Sequence, residues 1–366
     1  MYIQNLTLKN FRNYVLQRVT VSPSLNVFTG RNAVGKTNFL EALYMLGIGK
    51  SPRTVKEREV VRFGEDMAYA KTEIIKKYSK HTVEMYVDKV DKKRIAIDGL
   101  PIKKLGELMG VLGVVYFSPD ELGLIKDAPS ARRRFLDIAL SQQSKNYYYT
   151  LGKYNKTLIQ RNKLLKTGGD TLNCTLDIWD ETLAREASTV IQYRRNFASK
   201  LSEIAKRIHS EVGVGEELDV SYQCSIEGDD SKALIENLLK GLSNNRERDI
   251  YLGFTSVGPH RDDLSVTING LEAKKYASQG QQRTAALSLK LSELEMFYEE
   301  TGEYPILLLD DVLSELDVKR RDKLLSVTKH VQTFLTCTHF TANADAVTVY
   351  KVEEGERENK IKISEK

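Results

Sequence analysis

Cysteine is scarce in this 366-residue chain: Cys174, Cys224 and Cys337 are far apart, odd in number and without C-x-x-C spacing. That pattern excludes a disulfide framework and a zinc site and fits reduced thiols. Long apolar runs are missing as well. The longest candidates are strand-like, such as ILLLD at Ile306–Asp310, far short of the roughly 20 residues that span a bilayer as a helix. Transport through a membrane by this chain alone is therefore excluded. The opening MYIQNLTLKNF alternates apolar and polar residues and lacks a continuous apolar segment, so it reads as a strand, not a signal peptide, and a cytoplasmic protein is expected. Charge of one sign is not in large excess either. With 55 basic and 50 acidic side chains the net charge is +5, by itself a weak pointer to nucleic acid. One stretch, Lys145–Lys166, holds no carboxylate and mixes cations with tyrosines. A solvated helix face and a phosphate-contacting face both fit it.

The length predicts two lobes. Residues 1 to 36 give three strand-like segments, and a helix follows from Thr37, with Phe39, Leu43 and Leu46 on one stripe. Residues 67 to 102 alternate as short antiparallel strands, with Asp98-Gly99 as a hairpin turn. VLGVVYF, from Val111, is another buried strand. From residue 120 to 212 helical signals dominate, and strand patterns return at ELDVSYQCSI and DDLSVTINGLEA. A final α/β stretch runs from Ser278 to Phe340, and the polar tail GERENKIKISEK is expected to fray. The expected division is a discontinuous α/β lobe of residues 1–118 and 214–366, with a helical lobe of 119–213 inserted. No internal repeat is evident.

GRNAVGKT, Gly30–Thr37, matches G-x-x-x-x-G-K-[ST] between a predicted strand and a predicted helix. Glycines there let backbone N–H groups approach phosphate oxygens. Lys36 would neutralise β/γ charge and the Thr37 hydroxyl would hold Mg²⁺. The nucleotide-binding set is Gly30, Arg31, Asn32, Ala33, Val34, Gly35, Lys36, Thr37 and Asn38. Far downstream, the apolar strand ILLLDD stops at two carboxylates. Asp310 is suited to the metal side, and Asp311 to orienting or deprotonating a water. Just ahead of that strand, SQGQQR at Ser278–Arg283 opens a helix striped by Leu287, Leu291, Leu294 and Tyr298. Its first turn is a second anion site, with Ser278 as a candidate N-cap.

An N-terminal phosphate loop, a helical insertion, S-x-G-Q and then a strand ending in two carboxylates resembles the ABC-type ATPase heads of the SMC family, and within it the RecF family of bacterial recombination mediators. Six collinear blocks carry the likeness: Leu6–Tyr14, Gly30–Asn38, Phe117–Asp137, Gly258–Leu264, Ser278–Arg283 and Leu308–Asp317. The resemblance implies an α/β head with a P-loop core sheet, an antiparallel β-subdomain and a helical second lobe. It implies ATP and Mg²⁺ as cofactors and hydrolysis at Lys36, Asp310 and Asp311. Ser278, Gly280 and Gln281 would form a signature turn acting on the partner's nucleotide, and Ser314–Asp317 a loop facing that partner. It also implies an ATP-dependent homodimer on double-stranded DNA and single/double-strand junctions, acting with RecR and RecO to load RecA. Two departures stand out: Gln279 occupies the position of a frequent glycine, and Asp127 replaces a glycine in KDAP. Thr338 and His339 are both open as the γ-phosphate sensor.

For DNA, the candidates are Arg132, Arg133, Arg134, Lys153, Lys156, Arg161 and Lys163, with a solvated face as the alternative. HRDD, His260–Asp263, fits a structural turn better than a metal cluster. Arg12 and Tyr14 are placed to reach nucleotide, or are ordinary strand ends. Competing functions are the nucleotide-binding subunit of a membrane transporter and a nuclease-associated ATPase. The first would show no salt-dependent DNA affinity, and the second needs a further metal-carboxylate domain. A helical arm of about 40 residues, about 60 Å long, is compatible with the spacing, whereas a long coiled coil is not.

Overall fold

The structure, a computed structural model, describes every residue except 91, 169–171, 213–214, 328, 341–346, 355–360 and 366. In chain order the elements are strands β1 (Tyr2–Phe11), β2 (Tyr14–Thr20) and β3 (Leu25–Thr29), helix α1 (Lys36–Ile48), then strands β4 (Met67–Ile75), β5 (Lys80–Asp88), β6 (Lys93–Ile97), β7 (Leu100–Pro101) and β8 (Val114–Phe117). Helices α2 (Gly123–Lys126), α3 (Pro129–Gln143), α4 (Lys145–Thr167) and α5 (Leu172–Val212) follow. Next come β9 (Leu218–Gln223), α6 (Ser231–Asn244), α7 (Arg246–Leu252), β10 (Asp263–Ile268), β11 (Leu271–Glu272), α8 (Ala273–Tyr276) and α9 (Gln279–Thr301). The chain closes with β12 (Ile306–Asp310), α10 (Val318–Val327), β13 (Thr333–Cys337), β14 (Val347–Glu354) and β15 (Ile361–Glu365).

Two compact units result: Met1–Leu122 with Ala286–Lys366, and Gly123–Ala285. The first is built on two sheets. One is antiparallel, in the order β2-β1-β4-β5-β6-β7, and the other runs β15-β14-β3-β13-β12-β8. In the second, β14, β3, β13, β12 and β8 are parallel. Its central strands β12 and β13 are buried at every position, as a parallel sheet covered on both faces requires. α1 touches strands of both sheets. Accordingly Phe39 through Ile48 are all buried, so the expected single stripe is in fact a helix enclosed on all sides. In the β6–β7 hairpin Asp98 (φ 53°) and Gly99 (φ 78°) are both left-handed, which is the type I′ turn that Asp-Gly favours.

In the second unit α4 and α5 pair, and α5 packs on β9 and α6. β10 is the middle strand of an antiparallel sheet β11-β10-β9. The expected boundary at 213/214 is thereby corrected to 285/286. β9 pairs with β10 along its whole length and lies against α5, so residues 214–285 go with the helices. α5 is 41 residues long, about 60 Å of helix, the short arm that the spacing allowed.

Three further readings change. Residues Ile361–Glu365 of the tail do not fray but pair with β14. β14, α6 and α7 were not foreseen. The stripe on α9 is also too narrow a description: Leu287, Leu291 and Leu294 are buried, but so are Ser288, Lys290, Ser292 and Glu293, while Tyr298 is exposed. Lys290 and Glu293 pair at 2.7 Å, and the Ser292 hydroxyl donates to the Ser288 carbonyl. These internal partners let polar side chains lie inside.

Candidate nucleotide site

Strand β3 ends at Thr29 and α1 begins at Lys36, so the loop between them crosses the C-terminal edge of the parallel sheet, where open α/β sheets bind ligands. The loop's glycines are fixed by geometry. Gly35 has φ 105°, and a Cβ there would lie 2.8 Å from the Asn13 amide. A Cβ on Gly30 would sit 2.3 Å from the Val352 carbonyl oxygen. Neither position admits a side chain without moving backbone or breaking the packing of Asn13.

Lys36 Nζ donates to the carbonyls of Gly30 (2.6 Å) and Arg31 (2.8 Å), so the ammonium is held over the loop. Burial lowers its pKa, and Asp311, Cys337 and Asp310 act in the opposite direction. Asp310 closes the same space. Its Oδ1 accepts from the hydroxyls of Thr37 (2.9 Å) and Thr336 (2.7 Å), and its Oδ2 from that of Tyr116 (3.1 Å). Three hydroxyls thus aim one buried carboxylate at the first turn of α1. Burial, and after it Asp310, push the Tyr116 hydroxyl far above its ordinary range, so it remains a donor. Asp311 has left-handed backbone, φ 52°, and its N–H donates to Thr336 Oγ1 at 3.0 Å.

Asn32, Ala33, Gly35, Lys36, Thr37, Asn38, Asp310 and Asp311 line one cavity of about 460 Å³, together with Arg53 and Thr336. Gly30, Arg31, Asn32 and Val34 line a second, of about 920 Å³, with Thr338 and His339 on its wall. Both sensor candidates therefore border the loop.

A layer behind the loop escaped the sequence reading. The Tyr14 hydroxyl donates to the Gly35 carbonyl (2.9 Å), and Asn38 Nδ2 donates to Asn13 Oδ1 (2.8 Å). Glu41, buried on α1, accepts from Arg12 Nε and Nη2, one edge of the guanidinium (2.9 and 2.7 Å), and from Ser51 (2.6 Å). Arg53 donates to Asn38 at 2.9 Å. Arg12 and Tyr14 thus serve as braces of the loop and α1. The sequence signal for this layer was RNY beside the first strand, uninformative until the tertiary fold joins it to the loop.

In the other unit, Ser278 caps α9 reciprocally: its hydroxyl accepts from Gln281 N–H (3.3 Å), and Gln281 Oε1 accepts from Ser278 N–H (2.7 Å). This is a capping box with glutamine. Ser278 is exposed, and Gly280 and Gln281 are half-buried beside it.

The DNA candidates separate by burial. Arg134, Lys153, Lys156 and Lys163 are exposed, and Arg133 is half-buried with one bond to the Asp262 carbonyl. Arg132 and Arg161 are corrected from surface contacts to internal braces. Arg132 makes a two-pronged pair with Asp263 (2.7 and 2.8 Å). Arg161, fully buried, joins Asp180 (2.6 Å), Asp249 (2.8 Å) and Thr255 (2.9 Å). HRDD is likewise structural. His260 bonds Tyr154 and the Thr255 carbonyl, Asp262 accepts from Tyr222, and Asp263 takes Arg132. Among the described residues no group of three or more His, Cys, Asp or Glu could hold a metal, and no helix is long and apolar enough to cross a membrane.

Residues 2–360 match the model of the RecF/RecN/SMC N-terminal domain. The chain is 45% identical over 365 residues to the DNA replication and repair protein RecF of Clostridium tetani, covering 97% of this chain and 99% of that one. A solved structure of the recombination mediator RecF with ATP, in the RecFOR pathway, superposes with a TM-score of 0.90 at 36% identity, covering 100% and 97% of the two chains. An SMC head bound to the C-terminal winged-helix domain of ScpA shares the fold, with a TM-score of 0.60 at 14% identity and coverage of 100% and 98%. The two-sheet α/β head with its P-loop core and its helical second unit is thus the ABC-type, SMC-like architecture, and the chain belongs to the RecF family within the RecF/RecN/SMC group.

Proposed function

We propose that this chain is an ATP-dependent DNA-binding protein and ATPase of recombinational repair and replication, in which ATP joins two copies on DNA and hydrolysis lets them part. With RecR and RecO as partners it would help RecA load at single-strand gaps. The observation that carries the catalytic part is the convergence of Thr37, Thr336 and Tyr116 on Asp310, beside a loop that holds Lys36. A hard-oxygen donor set of one hydroxyl and one carboxylate suits Mg²⁺, which prefers oxygen ligands and keeps several waters. Thr37 and Asp310 would hold it, and bound there it would draw charge from the phosphates during transfer.

The chain's own residues do the rest. Backbone N–H groups of the loop and the N-terminus of α1 bind phosphate oxygens, and Lys36 exchanges its two carbonyl partners for phosphate. Asp311 accepts a proton from the attacking water. Ser278 and Gly280 offer a hydroxyl and backbone N–H donors to the nucleotide held by a second copy, and Gln281 would add its amide by exchanging Glu216, to which it donates at 3.0 Å, for phosphate. The membrane-transporter alternative predicts no salt-dependent DNA affinity, so the two readings separate in one titration. For the nucleotide site, Lys36→Met should abolish hydrolysis and weaken ATP binding while the thermal melt of the ATP-free protein is kept. Calorimetric ATP affinity equal to wild type would sink the assignment.

A further inference from the structure

A surface of the second unit unused by the nucleotide chemistry combines exposed rings and guanidinium groups. A cavity of about 650 Å³ lies between the end of β9, helix α7 and the segment leading into β10, with Arg248, Phe254 and Arg261 on its wall. The Arg261 guanidinium stacks over the Phe254 ring at 4.8 Å. Arg248 is exposed and makes no ion pair among the described residues. Tyr251 and Leu252 follow it at i+3 and i+4 on the same helix, so they share its face. Tyr251 is 89% exposed, so its ring is open to a partner beside the cavity wall. The carboxylates of the cavity are turned to internal partners, Asp262 to Tyr222 and Asp263 to Arg132. On the cavity wall what faces solvent is thus cationic and aromatic, and the exposed Glu247 of α7 lies outside that wall.

We propose that this surface binds a segment of single-stranded nucleic acid, one unstacked base lying on Tyr251 and the adjoining phosphates on Arg248 and Arg261. Bases offer π-faces to exposed rings and to guanidinium planes, and phosphates need cations without competing carboxylates. An acidic peptide would use the arginines but has no need of a fully exposed ring one helical step away. The site therefore favours a flexible strand over a duplex, whose bases are stacked away from such a ring.

The inference rests on the proposed DNA-binding function, and the test keeps the two apart. Anisotropy titrations of the full chain use a labelled 15-nucleotide oligo(dT) and a labelled 15-base-pair duplex. Tyr251→Ala should weaken oligo(dT) binding about tenfold, Tyr251→Phe should restore it, and duplex binding should stay within about twofold of wild type. Arg248→Ala should lower the slope of log affinity against log salt for oligo(dT) by about 0.7. Both side chains are exposed, and thermal melts unchanged from wild type establish that the variants fold. Wild-type oligo(dT) affinity in Tyr251→Ala overturns the proposal and leaves the surface to a protein partner. Duplex binding without any oligo(dT) binding by the wild-type chain overturns it too, while leaving the DNA reading intact. Failure to bind either probe removes both.

Discussion

A single buried carboxylate shows how far residues alone can be read. Asp310 was legible because an apolar strand ending in an acid downstream of a phosphate loop has few other uses, yet its donors Thr336 and Tyr116 were not. They come from β13 and from β8, the two strands flanking β12, and no local pattern marks which side chain of a neighbouring strand points at a given acid. His260 was legible only as a turn residue, and its environment adds a pH dependence. Burial lowers its pKa to about 4, with Arg261 and Arg133 acting in the same direction and the Thr255 carbonyl and Asp249 against it. The unfolded imidazole, with a pKa near 6.5, takes up its proton first. Folding is therefore unaffected by this group above about pH 6.5 and loses stability as pH falls towards 4. The loss amounts to about 3 kcal/mol at this one site. Urea unfolding of wild type and His260→Gln at stepped pH should show the gap between them closing over that window. Parallel curves would mean that His260 is not held neutral.

At the scale of elements, the periodicity of α4 separates its two faces. Tyr154, Thr157, Arg161 and Leu165 form a buried stripe at i, i+3, i+7 and i+11, while Lys153, Lys156 and Lys163 are exposed. The absence of carboxylates drew attention to the whole stretch and hid this division, because a buried arginine cannot be told from an exposed one unless its acidic partners, here on α5 and α7, are known. α9 shows the same limit: the leucine stripe was legible, but Lys290 and Glu293 outside it form an internal pair that the periodicity does not mark. Reversing the charge of Lys153, Lys156 and Lys163 together should reduce the salt slope of duplex binding by about 2–3, one counterion per phosphate contact. Arg161→Met should leave that slope alone and cost about 3–5 kcal/mol of unfolding free energy, since Asp180 and Asp249 lose the cation they share. Salt titrations and denaturant melts of the same two variants decide between contact and brace. A changed slope in Arg161→Met would reverse the assignment.

On the scale of the whole molecule, the order of motifs was legible because each block keeps its local physics, whereas the unit boundaries were not. A helical run from residue 120 to 212 announces an insertion, but the strand that follows it belongs to the same unit through its pairing with β10, and such pairing is not written in either strand alone. The remaining question concerns two molecules. α9 begins at an exposed Ser278, whose hydroxyl is shared with the Gln281 N–H only at 3.3 Å, and a helix N-terminus with spare donors favours an anion. The loop of the same chain already surrounds its own phosphates with backbone N–H groups and Lys36. The donors at Ser278 are therefore proposed to serve nucleotide carried by a second copy. A bulky cation at that position should block closure without touching the cis pocket. Ser278→Arg is expected to bind ATP as wild type does, to stay monomeric with ATP and to lose hydrolysis. Asp311→Asn should give the contrary pattern, dimerising with ATP and staying closed, because only proton acceptance from water is lost. Sedimentation of both variants with ATP and duplex DNA separates the two roles. A Ser278→Arg chain that still dimerises on ATP would refute the action in trans, since the one group altered in it would then be unnecessary for closure.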